Sequence, residues 1–178
     1  NTDFSVQLQD AKNKGAELVF LPVYYQQACI ILKQASYMQY EPTFFGCDGL
    51  DGILGVDGFD KSLAEGVMLL TPFAADDMAQ STQDFVAKYK EAYGETPSQF
   101  AADAYDAVYT VKAAAEAAGI TGDMSASDIC DALMEQMKTI EVDAITSKEG
   151  VPMKWDANGM VDKAPKAVII TDGAYKAM

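Results

Sequence analysis

The chain predicts an α/β fold, and three observations carry that expectation. Between Asp3 and Gly49 the sequence reads helix, strand, helix, strand. The first strand, Leu18-Val19-Phe20-Leu21, is apolar throughout, the pattern of a strand covered on both sheet faces. Each strand then ends on residues suited to holding a small molecule: Pro22-Val23-Tyr24-Tyr25 after the first, and Gly46-Cys47-Asp48-Gly49 after the second. Parallel sheets place ligands outside the carboxyl ends of their strands, so a ring at one end and a carboxylate at the next mark the expected site.

Taken in order, residues 3–14 set Phe4, Leu8 and Ala11 at helical spacing, and Gly15 follows as a stop. Residues 26–38 carry Ile30, Ile31 and Met38 and predict a second helix, ended by Glu41-Pro42 before the strand Thr43-Phe44-Phe45. Gly49, Gly52, Gly55 and Gly58 punctuate the next loop at a spacing that fits no phosphate-binding motif, so they are turn-formers. Gly66 to Leu70 predicts a short strand, and Ala74-Ala75-Asp76-Asp77 beyond it marks a crossing between lobes. A helix over 81–93 closes at Gly94. Pro97 is expected in the first turn of a long helix running to Ala118, with Ala101, Tyr105, Val108 and Ala115 as its buried stripe. Ser125 and Asp128 form a capping pair for a further helix with Ile129, Leu133 and Met137 inward and Met134 also in the core. Asn158-Gly159 signals a hairpin, and a last strand, Ala167 to Thr171, turns at Asp172-Gly173 into Tyr175.

Composition excludes several kinds of chemistry. The 178 residues contain no histidine and no arginine. There is therefore no Ser-His-Asp or Cys-His pair, no His-based zinc site, and no guanidinium clamp for phosphate or carboxylate. With 27 acids against 13 lysines the net charge is −14, which disfavours nucleic acid and anionic membrane surfaces. The bland reading of this acidity is a solvated surface. Cys29, Cys47 and Cys130 fit no metal or redox spacing; Cys29 and Cys130 are expected in the core, and Cys47 has no base to activate it. No run is long enough to span a bilayer.

Several pieces of the chain, in this order, resemble a known family. They are Thr2-Asp3-Phe4-Ser5, Gly15-Ala16-Glu17-Leu18-Val19-Phe20, Phe45-Gly46-Cys47-Asp48-Gly49 and Glu65-Gly66-Val67. Further on come Phe85-Val86-Ala87-Lys88-Tyr89, Tyr93-Gly94-Glu95-Thr96-Pro97, Ala104-Tyr105-Asp106-Ala107 and Trp155-Asp156-Ala157-Asn158-Gly159. Together they resemble the solute-binding proteins of branched-chain amino-acid ABC transporters, the leucine/isoleucine/valine-binding type of periplasmic binding protein. The resemblance implies a periplasmic-binding type I fold: parallel-sheet lobes with helices on both faces, here with a C-terminal hairpin. It implies only the C-terminal half of that fold. Residues 1–71 would be the latter part of the second lobe, 72–166 the latter part of the first, and 167–178 a strand returning to the second.

The resemblance also assigns roles. Asp48 matches the carboxylate that meets a ligand's α-ammonium; without the resemblance the favoured reading is a solvated Asp-Gly turn. Tyr24 matches a ring flanking the ligand, against the alternative of packing on the next helix. Tyr25, its neighbour, is a secondary candidate expected to face the other way. Phe100 matches an aromatic that caps the ligand side chain, and core packing remains open for it. The implied function is extracytoplasmic: a small amino acid or related metabolite bound between two lobes and delivered to a membrane permease, with no catalysis and no cofactor. Self-association is expected of a partial fold with open strand edges. Two rivals remain, a sensory ligand-binding domain of the same fold and an α/β enzyme using Asp48 with Asp51 or Asp103 as acid and base.

Overall fold

The computed structural model describes residues 2–148 and 150–178. They group into two units, Asn1–Asp77 with Pro165–Met178, and Met78–Ala164, so the chain leaves the first unit and later returns to it.

The first unit holds a five-stranded sheet ordered β1-β2-β3-β4-β5, with β1 (Leu18–Leu21), β2 (Thr43–Gly46), β3 (Met68–Thr71), β4 (Lys166–Thr171) and β5 (Ala174–Ala177). The first three strands run parallel, and β4 and β5 pair antiparallel. A parallel pair needs a crossover, and α2 (Tyr25–Tyr37) supplies it between β1 and β2; α1 (Ser5–Asn13) precedes β1. The fold class is thus α/β, as the alternating pattern indicates.

Register divides the sheet into two faces. Leu21, Phe44, Leu69, Val168 and Ile170 share one face and are buried in a single core with Leu8 of α1 and Ala28, Ile31 and Leu32 of α2. Leu18, Phe20 and Leu70 lie on the other face and stay exposed, Phe20 at 50%. The sequence expectation of helices on both faces is therefore met on one face of this sheet. The continuous apolar run of β1 does report two apolar faces, but among the described residues the helices of this unit pack on the first.

Helix ends follow local chemistry. At α1, Gly15 takes a positive φ of 68°, its N–H donating to Lys12 and the Ala16 N–H to Ala11, both at 3.0 Å. Gln39 repeats this arrangement at α2 with φ 52°, ahead of the expected Glu41-Pro42 break. Tyr40 explains how a non-glycine residue is held there: it is buried and donates its hydroxyl to the Ala16 carbonyl at 2.7 Å. The β4–β5 hairpin turns at Asp172 and Gly173, both with positive φ, the backbone of a two-residue type I′ turn.

The described residues of the second unit contain α3 (Gln80–Tyr93), α4 (Gln99–Ala117) and α5 (Ala126–Met137) with two isolated bridges, Val142–Met153 and Trp155–Val161. The Asn158-Gly159 turn forms, but the expected hairpin stops at one bridge. Asp156 captures the Asn158 and Met160 amides with its carboxylate at 2.8 and 2.9 Å, a side-chain turn in place of a strand ladder. Ser125 caps α5 as expected, accepting from the Asp128 N–H.

Three expectations for this unit are corrected. Pro97 lies outside α4, because Ser98 is the N-cap. The buried face of α4 is Gln99, Ala102, Asp106, Thr110 and Ala114, whereas Tyr105 and Val108 of the predicted stripe are exposed. The cause is a polar anchor: the Asp106 carboxylate accepts from the Ile145 N–H at 2.8 Å, the Thr146 N–H at 2.9 Å and the Thr146 hydroxyl at 2.6 Å. Such charge-assisted bonds turn the polar side of the helix inward. Cys130 and Met134 are exposed as well, on the outer side of α5, while Ile129, Leu133 and Met137 are half-buried.

Two lysines close to the return of the chain are paired. Lys163 meets Asp103 at 2.8 Å within the second unit, and Lys166 meets Asp77 within the first.

Replacing Asp106 with Ala leaves a half-buried amide, a buried amide and a buried hydroxyl without this acceptor. The expected loss is roughly 2–4 kcal/mol. Urea denaturation of wild type and variant measures it, with the change confined to the second unit.

Candidate functional site

The site expected at the strand ends is built from two loops of the first unit. After β1, Pro22 and Val23 lead to Tyr24, which is extended (φ −84°, ψ 162°) and precedes the first residue of α2, Tyr25. The two tyrosines therefore sit at a helix start, and strand alternation does not govern them. The helix start still separates them. Tyr24 is 62% exposed, whereas Tyr25 is half-buried and packs against the core.

After β2, Cys47 is extended and Asp48–Leu50 makes one 3₁₀ turn. Gly52 then takes φ 96°, and Ile53–Gly55 makes a second turn. Leu50 and Ile53 are fully buried. They pin the loop from below, and Asp48 stands exposed at its head.

Two glycines let these loops approach. A Cβ on Gly49 would lie 2.7 Å from the Val23 carbonyl oxygen and 3.4 Å from the Tyr24 ring. A Cβ on Gly52 would meet the Tyr25 ring at 3.4 Å, and its backbone needs the left-handed region besides. Tyr24, Tyr25 and Asp48 are thus brought to one edge of the sheet, at the carboxyl ends of β1 and β2. Phe100 stands in the second unit, on the first turn of α4, and is 38% exposed.

Asp51 differs from Asp48 in burial. It is buried, and the Gly52 N–H donates both to its carboxylate at 2.8 Å and to the Tyr175 hydroxyl at 2.9 Å. Burial pushes the Tyr175 phenol well above its ordinary pKa, and the Asp51 charge adds to the same effect; the Gly52 and Leu54 N–H groups act in the opposite direction. The sequence reading gave Tyr175 no role. The signal was the alternation of the last hairpin, because Tyr175 pairs with Ile170, a residue of the buried sheet face. Asp103, the other carboxylate of the enzyme rival, is engaged with Lys163. Among the described residues no group of three or more His, Cys, Asp or Glu is placed to hold a metal, and no helix is long and apolar enough to cross a membrane.

With this geometry in place, comparison with known proteins identifies the class. A family model described as periplasmic binding protein matches residues 1–162, and the chain belongs to that family. None of the curated proteins compared matches it. Among solved structures it is similar to a leucine binding protein from Thermotoga maritima, at 26% identity and a TM-score of 0.78, over 100% of this chain and 48% of that one. It is also similar to the branched-chain amino acid transporter substrate binding protein from Streptococcus pneumoniae, in complex with isoleucine, at 27% identity and a TM-score of 0.79, over 100% and 49% of the two chains. An ABC-transporter solute binding protein from R. palustris, in complex with benzoate, gives a TM-score of 0.82 at 18% identity over 100% and 46%, a likeness of fold. The chain spans about half the length of these structures.

The Gly49 approach is testable. Gly49→Ala drives a methyl into the Val23 backbone, which cannot swing aside as a side chain end would. The expected destabilisation is about 1–3 kcal/mol, read as a lowered Tm, whereas Gly55→Ala, with open space at its Cβ, shifts Tm little.

Proposed function

We propose that this chain is part of the extracytoplasmic solute-binding component of an ABC importer, and that it binds a small amino acid or a related metabolite and passes it to a membrane permease. The carrying observation is the close approach of Gly49 to Val23 and to the Tyr24 ring at the ends of two adjacent parallel strands, with Asp48 next to Gly49 in the chain. Asp48 supplies the counter-charge for an ammonium group and Tyr24 a ring against the ligand's body. Tyr25, packed on the core, acts as support to this site. Phe100 is proposed as a further aromatic ligand contact on the strength of the family resemblance. The two units are read as parts of two ligand-binding lobes.

A carboxylate at the site favours ligands that carry an ammonium group over benzoate-like acids, since an anion beside Asp48 is repelled. The chain is read as a binding protein and not an enzyme, because Asp51 is turned into the core and Asp103 is held by Lys163. A sensory role remains the second reading; two further structures of the same fold are described as extracellular ligand-binding receptors.

Calorimetric titration with leucine, isoleucine and benzoate tests this reading. In the full-length parent, Asp48→Ala is expected to weaken leucine binding at least tenfold, on the order of 2–5 kcal/mol for a closed charge pair, with little change in Tm. Tyr24→Ala is expected to cost more affinity than Tyr25→Ala, while Tyr25→Ala costs more stability. Unchanged affinity in Asp48→Ala would remove that residue from the site.

The open sheet face bears on partners. Leu18, Phe20 and Leu70 form an apolar surface on a sheet whose first strand has a free edge. We propose that the 178-residue chain self-associates through this face and edge. Light scattering across a concentration series is expected to show growing mass, and Phe20→Lys to suppress it.

A further inference from the structure

The C-terminal hairpin reaches back to the ligand loop through one hydroxyl. Tyr175 lies on β5, more than a hundred residues beyond the loop that carries Asp48, yet its Oη accepts the Gly52 N–H at 2.9 Å. The same N–H is shared with the carboxylate of buried Asp51, and the phenol donates to that carboxylate. Gly52 has the Tyr25 ring against its α-carbon. Four groups therefore interlock: the Tyr175 hydroxyl, the Asp51 carboxylate, the Gly52 amide and the Tyr25 ring. The interlock sits between the two 3₁₀ turns, one residue past the turn that presents Asp48. The backbone bonds within the turns are local, such as Asp51 N–H to the Asp48 carbonyl at 3.0 Å.

We propose that Tyr175 is a positioning residue for ligand binding: its hydroxyl clamps Asp51 and Gly52 and so fixes the turn that presents Asp48. This rests on the ligand-site reading given above. Removing the hydroxyl while keeping the ring leaves the apolar packing of the hairpin in place, so the effect of the clamp separates from the effect of burial. A buried carboxylate deprived of a donor is costly, and the loop relieves that cost by opening Asp51 toward water. Opening at Asp51 swings Asp48, three residues earlier in the same turn. The raised pKa of Tyr175 agrees with this geometry, since it keeps the phenol protonated and able to donate.

Amide hydrogen exchange on the ligand-free 178-residue chain tests the clamp. In Tyr175→Phe the amides of Asp51, Gly52 and Leu54 are expected to exchange at least tenfold faster, while those of Val168 and Ile170 in β4 keep their wild-type rates. Asp51→Ala is expected to reproduce this pattern, and Asp51→Asn, which keeps an acceptor for the phenol, to stay within threefold of wild type. Unchanged rates at 51–54, or a uniform rise through β4 and β5, overturn the proposal. Titration with leucine supplies the second arm. Tyr175→Phe is expected to raise the leucine Kd about fivefold, and to have no further effect in an Asp48→Ala background. A full fivefold effect that persists without Asp48 overturns positioning through that residue. If wild type binds neither leucine nor benzoate, the ligand-site reading fails, and the exchange pattern alone still decides the clamp.

Discussion

Two adjacent parallel strands leave little space where their chains turn away from the sheet, and the whole upper edge of the first unit answers to that constraint. Strands lie about 4.8 Å apart, so the loops leaving β1 and β2 must pass at near backbone contact. Gly49 is where they pass, with no room for a Cβ against the Val23 carbonyl. Once that contact is fixed, the remaining choices narrow. Leu50 and Ile53 drop into the core, Asp48 is left at the head of the loop, and Tyr24 is held beside it as the entry to α2. The charged group and the ring belong to opposite loops, and those loops pass this closely because glycine carries no methyl.

Much of this edge was legible in the sequence. Short apolar runs, a proline break and glycines after helices locate β1, β2, α1 and α2 because these signals act locally. The Asp172-Gly173 turn was legible for the same reason. What escaped was set by partners distant in sequence. The inward face of α4 is chosen by Asp106 and its bonds to residues 145 and 146, some forty positions away, and they outweigh the apolar stripe of Tyr105 and Val108. Tyr175 gains its place from Asp51 and Gly52, over one hundred and twenty residues earlier. Asp51 and Asp48 look alike in the sequence, and only tertiary packing separates a buried structural carboxylate from an exposed one. Gln39 hid a helix stop because its left-handed conformation is enforced by Tyr40 rather than by glycine.

Composition gives the molecule an unusual vocabulary for recognition. With neither arginine nor histidine in the sequence, its polar recognition falls to carboxylates, hydroxyls, amides, lysines and the backbone itself. Such a set suits cations and ammonium groups at its carboxylates and leaves anions to lysines, hydroxyls, amides and backbone N–H groups. It also removes the side chain whose ordinary pKa falls near neutrality, so the charge pattern of the surface is steady through the physiological range.

The pairs Lys163–Asp103 and Lys166–Asp77 bracket the point where the chain re-enters the first unit. Only Ala164 and Pro165 stand between the two tethered lysines. Proline fixes its own φ and confines the residue before it to extended backbone. Proline and the residue before it are thus confined where the chain re-enters the first unit. Asp77 is also the last residue before the outgoing crossing, so one ion pair staples the departing segment to the returning one. Both pairs are partly open to solvent, and salt weakens such pairs. The tie between the departing and returning segments of the first unit is accordingly a property of the surrounding electrolyte as much as of the polypeptide.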